Sequence, residues 1–133
     1  MSSFKQLIEK SVAQQRQVVL ELNALVNDIE RCEKTITDLK NELEAVNSKH
    51  QGRRTTRDDI DYLSDLLKCA NKKLTWEKHM SSLQKRTPVL LEKMSAQIND
   101  PKIPPADETR AQMLQGLQGV QNAMERLQNV KVN

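Results

Sequence analysis

Two histidines, two cysteines and a string of basic side chains are the residues whose types could carry chemistry in this chain. His50 and His79 each lack a Cys, His or Asp at metal-ligand spacing, which points away from a metal site. Acid–base work would need a nucleophile, a base and a charge stabiliser converging in a water-excluding cavity, and neither histidine has such company. No Gly-rich phosphate loop occurs. The expectation is a protein without catalytic residues, cofactor or metal. Cys32 and Cys69 sit inside helical patterns and read as unpaired thiols of a reducing compartment.

The basic residues are the stronger chemical signal. The net charge is only +3, but residues 1–46 carry six basic and eight acidic groups, whereas residues 47–100 carry eleven and seven. Lys49, Arg53, Arg54 and Arg57 cluster around a polar turn, and Lys68, Lys72, Arg86 and Lys93 continue down one helical face. Lys49, Arg53, Arg54, Arg57, Lys68 and Lys72 are therefore candidate contacts for an anionic polymer such as a microtubule's acidic tails, nucleic acid or anionic lipid. The competing reading is a solvated face in which Asp58, Asp61 and Asp65 neutralise Arg57 and Lys68. Arg53-Arg54-Thr55-Thr56 also resembles a basophilic kinase site with Thr56 as acceptor, where phosphate would meet a helix N-terminus.

These residues need elements to position them, and the composition supplies helices. Charged residues make up 29% and aromatics 2% of 133 residues, too few bulky side chains for a broad globular core. A heptad register runs through Phe4, Ile8, Ser11, Gln15, Val18, Leu22, Leu25, Ile29, Cys32, Ile36, Leu39, Leu43, Val46 and His50. It predicts a helix over about 4–50, with Ser3 and Gln6 as a capping box. Val12, Val19 and Val26 add a second stripe to the first half of this helix, which should therefore touch more than one neighbour.

Gly52 and the polar residues around it predict a turn over 51–56, Gly52 acting as C-cap. Thr56 would cap a second helix over about 57–99, kinked or broken at Pro88. The apolar set Ile60, Leu63, Leu66, Leu67, Ala70, Leu74, Trp76, Met80, Leu83, Leu90, Leu91, Met94 and Ile98 reads as one broad bundle face, with Trp76 in the core. In an antiparallel hairpin Cys32 would face Thr75, about 9 Å along the axis from Cys69 and too far for a disulfide. A Pro-rich linker at 101–105 then leads to a helix over about 106–129 within a C-terminal segment 106–133. Its seam reads as Met113, Leu117, Val120, Met124 and Leu127, with Gly116 and Gly119 off it as helix-weakening residues.

The fold expected is all-α: a long antiparallel coiled-coil hairpin plus a shorter C-terminal helix, forming part of an oligomeric helical bundle. Two helices cannot hide this much apolar surface, so the partner-binding seam is assigned to Ile8, Val12, Val19, Leu22, Val26, Ile29, Ile36, Leu39 and Leu43 with Met113, Leu117, Val120, Met124 and Leu127. The function expected is a structural or adaptor subunit in an intracellular complex of cytoskeletal, cell-division or vesicle-trafficking type. Its partners would be other helical proteins, a hetero-oligomer being the favoured assembly and a homo-oligomer the alternative. The alternative is an anionic-surface module using the basic tip. No apolar run spans a bilayer and the polar start lacks a signal-peptide core, so the expected location is the cytoplasm or nucleus.

Overall fold

The structure, a computed structural model, describes residues 2–130 and consists there of three helices. Met1 and residues 131–133 of the expected C-terminal tail lie outside the described residues. Helix α1 spans Ser2–Lys49, α2 spans Thr56–Ile98 and α3 spans Asp107–Asn129. Cross-helix pairs fix the directions. Lys72 meets Glu42, Trp76 meets Cys32 and Arg86 meets Asp28, so α2 runs antiparallel to α1. Gly116 lies against Leu22 and Arg126 against Glu30 and Glu33, so α3 runs back alongside α1 in the same direction as it.

The heptad register of α1 becomes its buried edge. Gln15, Val18, Leu22, Leu25, Ile29, Cys32, Ile36, Leu39 and His50 are buried, and Leu43 and Val46 are half-buried. A 3.5-residue spacing keeps these side chains on one side of a helix about 72 Å long at 1.5 Å per residue. Each fully buried Leu or Ile contributes roughly 1.5–3 kcal/mol of transfer free energy. Ser3 lies within the helix, which already begins at Ser2, so it is not the expected N-cap.

At the other end of the hairpin Thr55, not Thr56, caps α2. Its hydroxyl accepts from the Asp58 amide at 3.1 Å, and the Asp58 carboxylate accepts from the amides of Thr55 and Arg54 at 3.2 and 3.1 Å. Gly52 does not adopt the left-handed C-cap conformation, and no neighbour lies within 4 Å of where its Cβ would be. Pro88 sits inside a continuous α2 rather than at a break. Just before it, the Thr87 hydroxyl donates to the Leu83 carbonyl at 2.7 Å.

The linker is held by named contacts. Asp100 Oδ1 accepts from the amides of Lys102 and Ile103 at 2.8 and 3.3 Å, Pro105 is buried, and Gln15 Nε2 donates to the Ile103 carbonyl at 3.0 Å. The polar break at Gln15 in a mostly aliphatic seam is thus the clamp for this crossing.

Helix α3 corrects its expected seam. The buried residues are Met113, Gly116, Val120, Ala123 and Leu127, while Leu117 and Met124 flank them half-buried. The small residues matter because they let the two backbones approach. A Cβ at Gly116 would stand 3.0 Å from Leu22 Cβ and 3.2 Å from its Cδ1, and one at Gly119 would stand 3.2 Å from Val26 Cγ2. Val19 and Val26 are half-buried, so the extra valine stripe of α1 meets its second neighbour in α3.

Three thicknesses follow along one axis. The first dozen residues of α1 extend beyond the linker crossing as a single helix. From Gln15 to about Glu33 the molecule is three helices thick. From there to the turn at 50–55 the described residues are those of α1 and α2.

Candidate functional site

The partner seam expected from sequence is mostly occupied by the chain itself. Leu22, Ile29, Ile36, Leu39, Met113, Val120 and Leu127 are buried, and Val19, Val26, Leu43, Leu117 and Met124 are half-buried against the same core. Helix α3 docks in cis and consumes the surface that had been assigned to another protein. Of the assigned residues only Ile8 is exposed, and Val12 is partly so.

Exposed apolar side chains lie elsewhere, and their distribution is uneven. Among the described residues the large ones are Phe4, Leu7, Ile8, Leu20, Ile60, Leu63, Leu67, Leu74, Val89 and Leu114. Three belong to the single-helix overhang and four to the outer face of α2 in the two-helix tip, leaving three scattered over the three-helix region. In the overhang, Phe4, Leu7 and Ile8 form an exposed i, i+3, i+4 stripe that the half-buried Val12 continues toward the linker crossing. In the tip, Ile60, Leu63, Leu67, Ala70 and Leu74 alternate three and four apart, and all are exposed.

The broad face read on α2 is therefore two faces. Leu66, Trp76, Met80, Leu83, Leu90, Leu91, Met94 and Ile98 turn inward, joined by Cys69 and Tyr62. The outer seam lies about 120° around the helix from them, at 100° per residue. Trp76 is half-buried and donates from Nε1 to the Cys32 carbonyl at 3.1 Å, which ties the indole across the hairpin.

The basic tip is matched by acids of the same chain. Lys49 and Lys68 pair with Asp65 at 3.5 and 4.0 Å, Arg53 with Asp59 at 3.3 Å, Arg57 with Asp61 at 3.6 Å and Lys72 with Glu42 at 2.7 Å. The hydrogen bonds to Glu42 raise the pKa of the Lys72 ammonium. Among the described residues, Arg54 is the tip arginine with no carboxylate at ion-pair distance. Thr56 is exposed in the first turn of α2.

His50 has a structural place that its lack of sequence neighbours did not suggest. Its ring is buried, its Nε2 is hydrogen-bonded to Asp65 Oδ2 at 2.8 Å, and it meets the Tyr62 ring edge-on at 5.3 Å. Arg53 lies over the Tyr62 ring, 3.9 Å from its centroid, and donates to the His50 carbonyl. The bond from His50 is the main reason that the Asp65 carboxyl titrates below its ordinary range. Asp58 is lowered as well, first by the Arg54 amide and then by Thr55.

His79 lines an open groove of about 630 Å³ between α1 and α2 with Cys32, Trp76 and the Asp28–Arg86 pair. Cys32 and Cys69 are buried unpaired thiols, and burial raises the pKa of both. No described helix is long and apolar enough to cross a membrane. The chain matches no protein-family model, and no significant match to it exists among the curated proteins or the solved structures.

The sequence reading missed the tip seam as a separate surface because it merged two α2 stripes into one. Residues 62, 66, 69, 73, 76, 80 and 83 already keep a strict alternation of four and three, and separating that register from 60, 63, 67, 70 and 74 would have revealed both. Large apolar residues alone do not point to Gly116, although Met113, Gly116, Val120, Ala123 and Leu127 keep equally good heptad spacing.

Proposed function

We propose that this chain is a non-enzymatic helical adaptor subunit that binds other helical proteins through apolar ridges at its two ends. The observation that carries this reading is that, among the described residues, seven of the ten exposed large apolar side chains cluster in the overhang and the tip at helical spacing. An isolated helix of about twelve residues is marginal in water, so an apolar stripe on such an overhang gains most by laying itself into a groove between partner helices. Ion pairing within the tip leaves an anionic surface less to engage, which favours the adaptor reading over the alternative.

The test is purification of the full chain from its own cells alongside a Phe4→Lys/Ile8→Lys variant. Both substituted side chains are exposed, so the variant should keep its circular dichroism spectrum. The wild-type chain should carry a stoichiometric helical partner that the variant loses. A chain that travels alone, or a variant that keeps its partner, would overturn the proposal.

A further inference from the structure

We infer that the outer seam of α2 is a self-recognition surface, on which two copies of the chain pair antiparallel through their tips. The inference rests on the adaptor reading and assigns an occupant to one of its two ridges. It comes from the seam's own register and from the charges beside it.

Take Ile60, Leu67 and Leu74 as the a positions and Leu63 and Ala70 as the d positions of a heptad. An antiparallel coiled coil stacks a against d of the opposite strand. In one register Ile60 meets the second copy's Ala70, Leu63 meets its Leu67, and the symmetric layers repeat these pairs about a two-fold axis. Leu74 then covers the second copy's Thr56, the first residue of α2, so the apolar contact ends where the helix begins.

The flanking positions agree with this arrangement. On one flank stand Asp59 and Lys73, and the two-fold places Asp59 opposite the second copy's Lys73, twice. Asp59 and Lys73 are both exposed, and Asp59 has only its Oδ1 engaged, by Arg53 Nε at 3.3 Å. Among the described residues Lys73 has no acidic partner within the chain. On the other flank Arg57 meets Asn71, and Ser64 meets Ser64. No like charges oppose one another.

A parallel pairing of the same seam fails this comparison, because it sets Lys73 beside the second copy's Lys78 on both flanks. The remainder of the molecule permits the antiparallel form. Helix α3 ends near Glu33, short of the seam, so the two three-helix regions point away from each other along a common axis. The result is a long rod with the tips overlapped at its centre and one single-helix overhang at each extremity.

Sedimentation of the full chain at micromolar concentration tests the assembly. An elongated dimer is expected, and Leu67→Glu should convert it to a monomer with unchanged helicity, since Leu67 is 62% exposed in the single chain. Lys73→Asp should weaken the dimer about fivefold by removing two symmetric ion pairs, and Asp59→Lys combined with Lys73→Asp should restore it. Orientation is read from Ser64→Cys under oxidised glutathione: the antiparallel two-fold brings the introduced thiols together and yields a covalent dimer, which a parallel pair would not. A monomeric wild-type chain, a dimer indifferent to Leu67→Glu, or no Ser64→Cys cross-link would overturn the inference. A monomer that still loses its helical partner on Phe4→Lys/Ile8→Lys would leave the adaptor reading standing and remove only self-pairing.

Discussion

The three-helix region and the two-helix tip share α1 and α2, yet they dispose of their apolar residues in opposite ways. In the first, Leu22, Ile29, Met113 and Ala123 are fully enclosed because α3 closes the side of α1 that α2 leaves open. In the second, one edge of α2 closes on α1 while another, from Ile60 to Leu74, faces solvent. The tip compensates with polar locks: a capping box, the His50–Asp65 bond, and five ion pairs, of which two cross between α1 and α2, two lie within α2 and one joins the turn to α2. One region is held by enclosure on every side, the other by a single buried edge that includes Ile36, Leu39 and Cys69 and by hydrogen bonds beside an open ridge. The lesson is that a coiled-coil seam read from sequence is a statement about adjacency to some helix, and the third helix decides whether that neighbour is internal.

Breaking the enclosed region should have the largest effect. Leu22→Ala removes a fully buried side chain under α3 and should cost about 2–5 kcal/mol, whereas Leu67→Ala in the tip should change stability by no more than about 0.5 kcal/mol. Urea denaturation in dilute solution compares the two. Equal costs would mean that the regions do not differ as described. Next comes Gly116→Val, whose Cβ would press on Leu22 Cβ at 3.0 Å; overpacking of this kind costs about 1–3 kcal/mol. Limited proteolysis should then cut within α3 while the hairpin stays intact.

Acid should act on the tip before the enclosed region. Asp58 and Asp65 both titrate below the ordinary carboxylate range, so their contribution is fully present above about pH 4 and is lost as pH falls through their lowered values. Hydrogen exchange across this interval should show the turn and the first turns of α2 opening while α3 stays protected. Asp65→Asn should flatten that response. The smallest effect belongs to Gly52→Ala. With no positive φ and open space at its Cβ position, the substitution should stabilise the chain by about 0.4–1 kcal/mol, read as a small rise in melting temperature.

Much of this architecture is legible in the residues themselves. The alternation from Gln15 to His50 marks the buried edge of α1, Gly52 and its neighbours mark a turn, and the proline cluster marks the linker. The difficulties arise where spacing is ambiguous or where a small side chain does the work. In α3 the same Met113, Val120 and Leu127 fit either Leu117 and Met124 or Gly116 and Ala123 as their partners, and only proximity to Leu22 selects the latter. At the tip, Thr55 and Thr56 are both able to cap, and the choice turns on which hydroxyl reaches the Asp58 amide. The surfaces suited to partners were harder still, because hydrophobicity alone does not say whether α3 folds back. Docking of α3 moved the open apolar surface from the middle of α1 to its N-terminal overhang and to the outside of α2.

The bond from the Trp76 indole to the Cys32 carbonyl lies where α3 gives way to the bare hairpin. Since this is the sole tryptophan, its fluorescence reports on that boundary alone. A red shift of its emission during unfolding would date the parting of α1 from α2 at the junction, and setting that moment beside the loss of far-ultraviolet ellipticity would reveal whether the rod melts as one body or from an end.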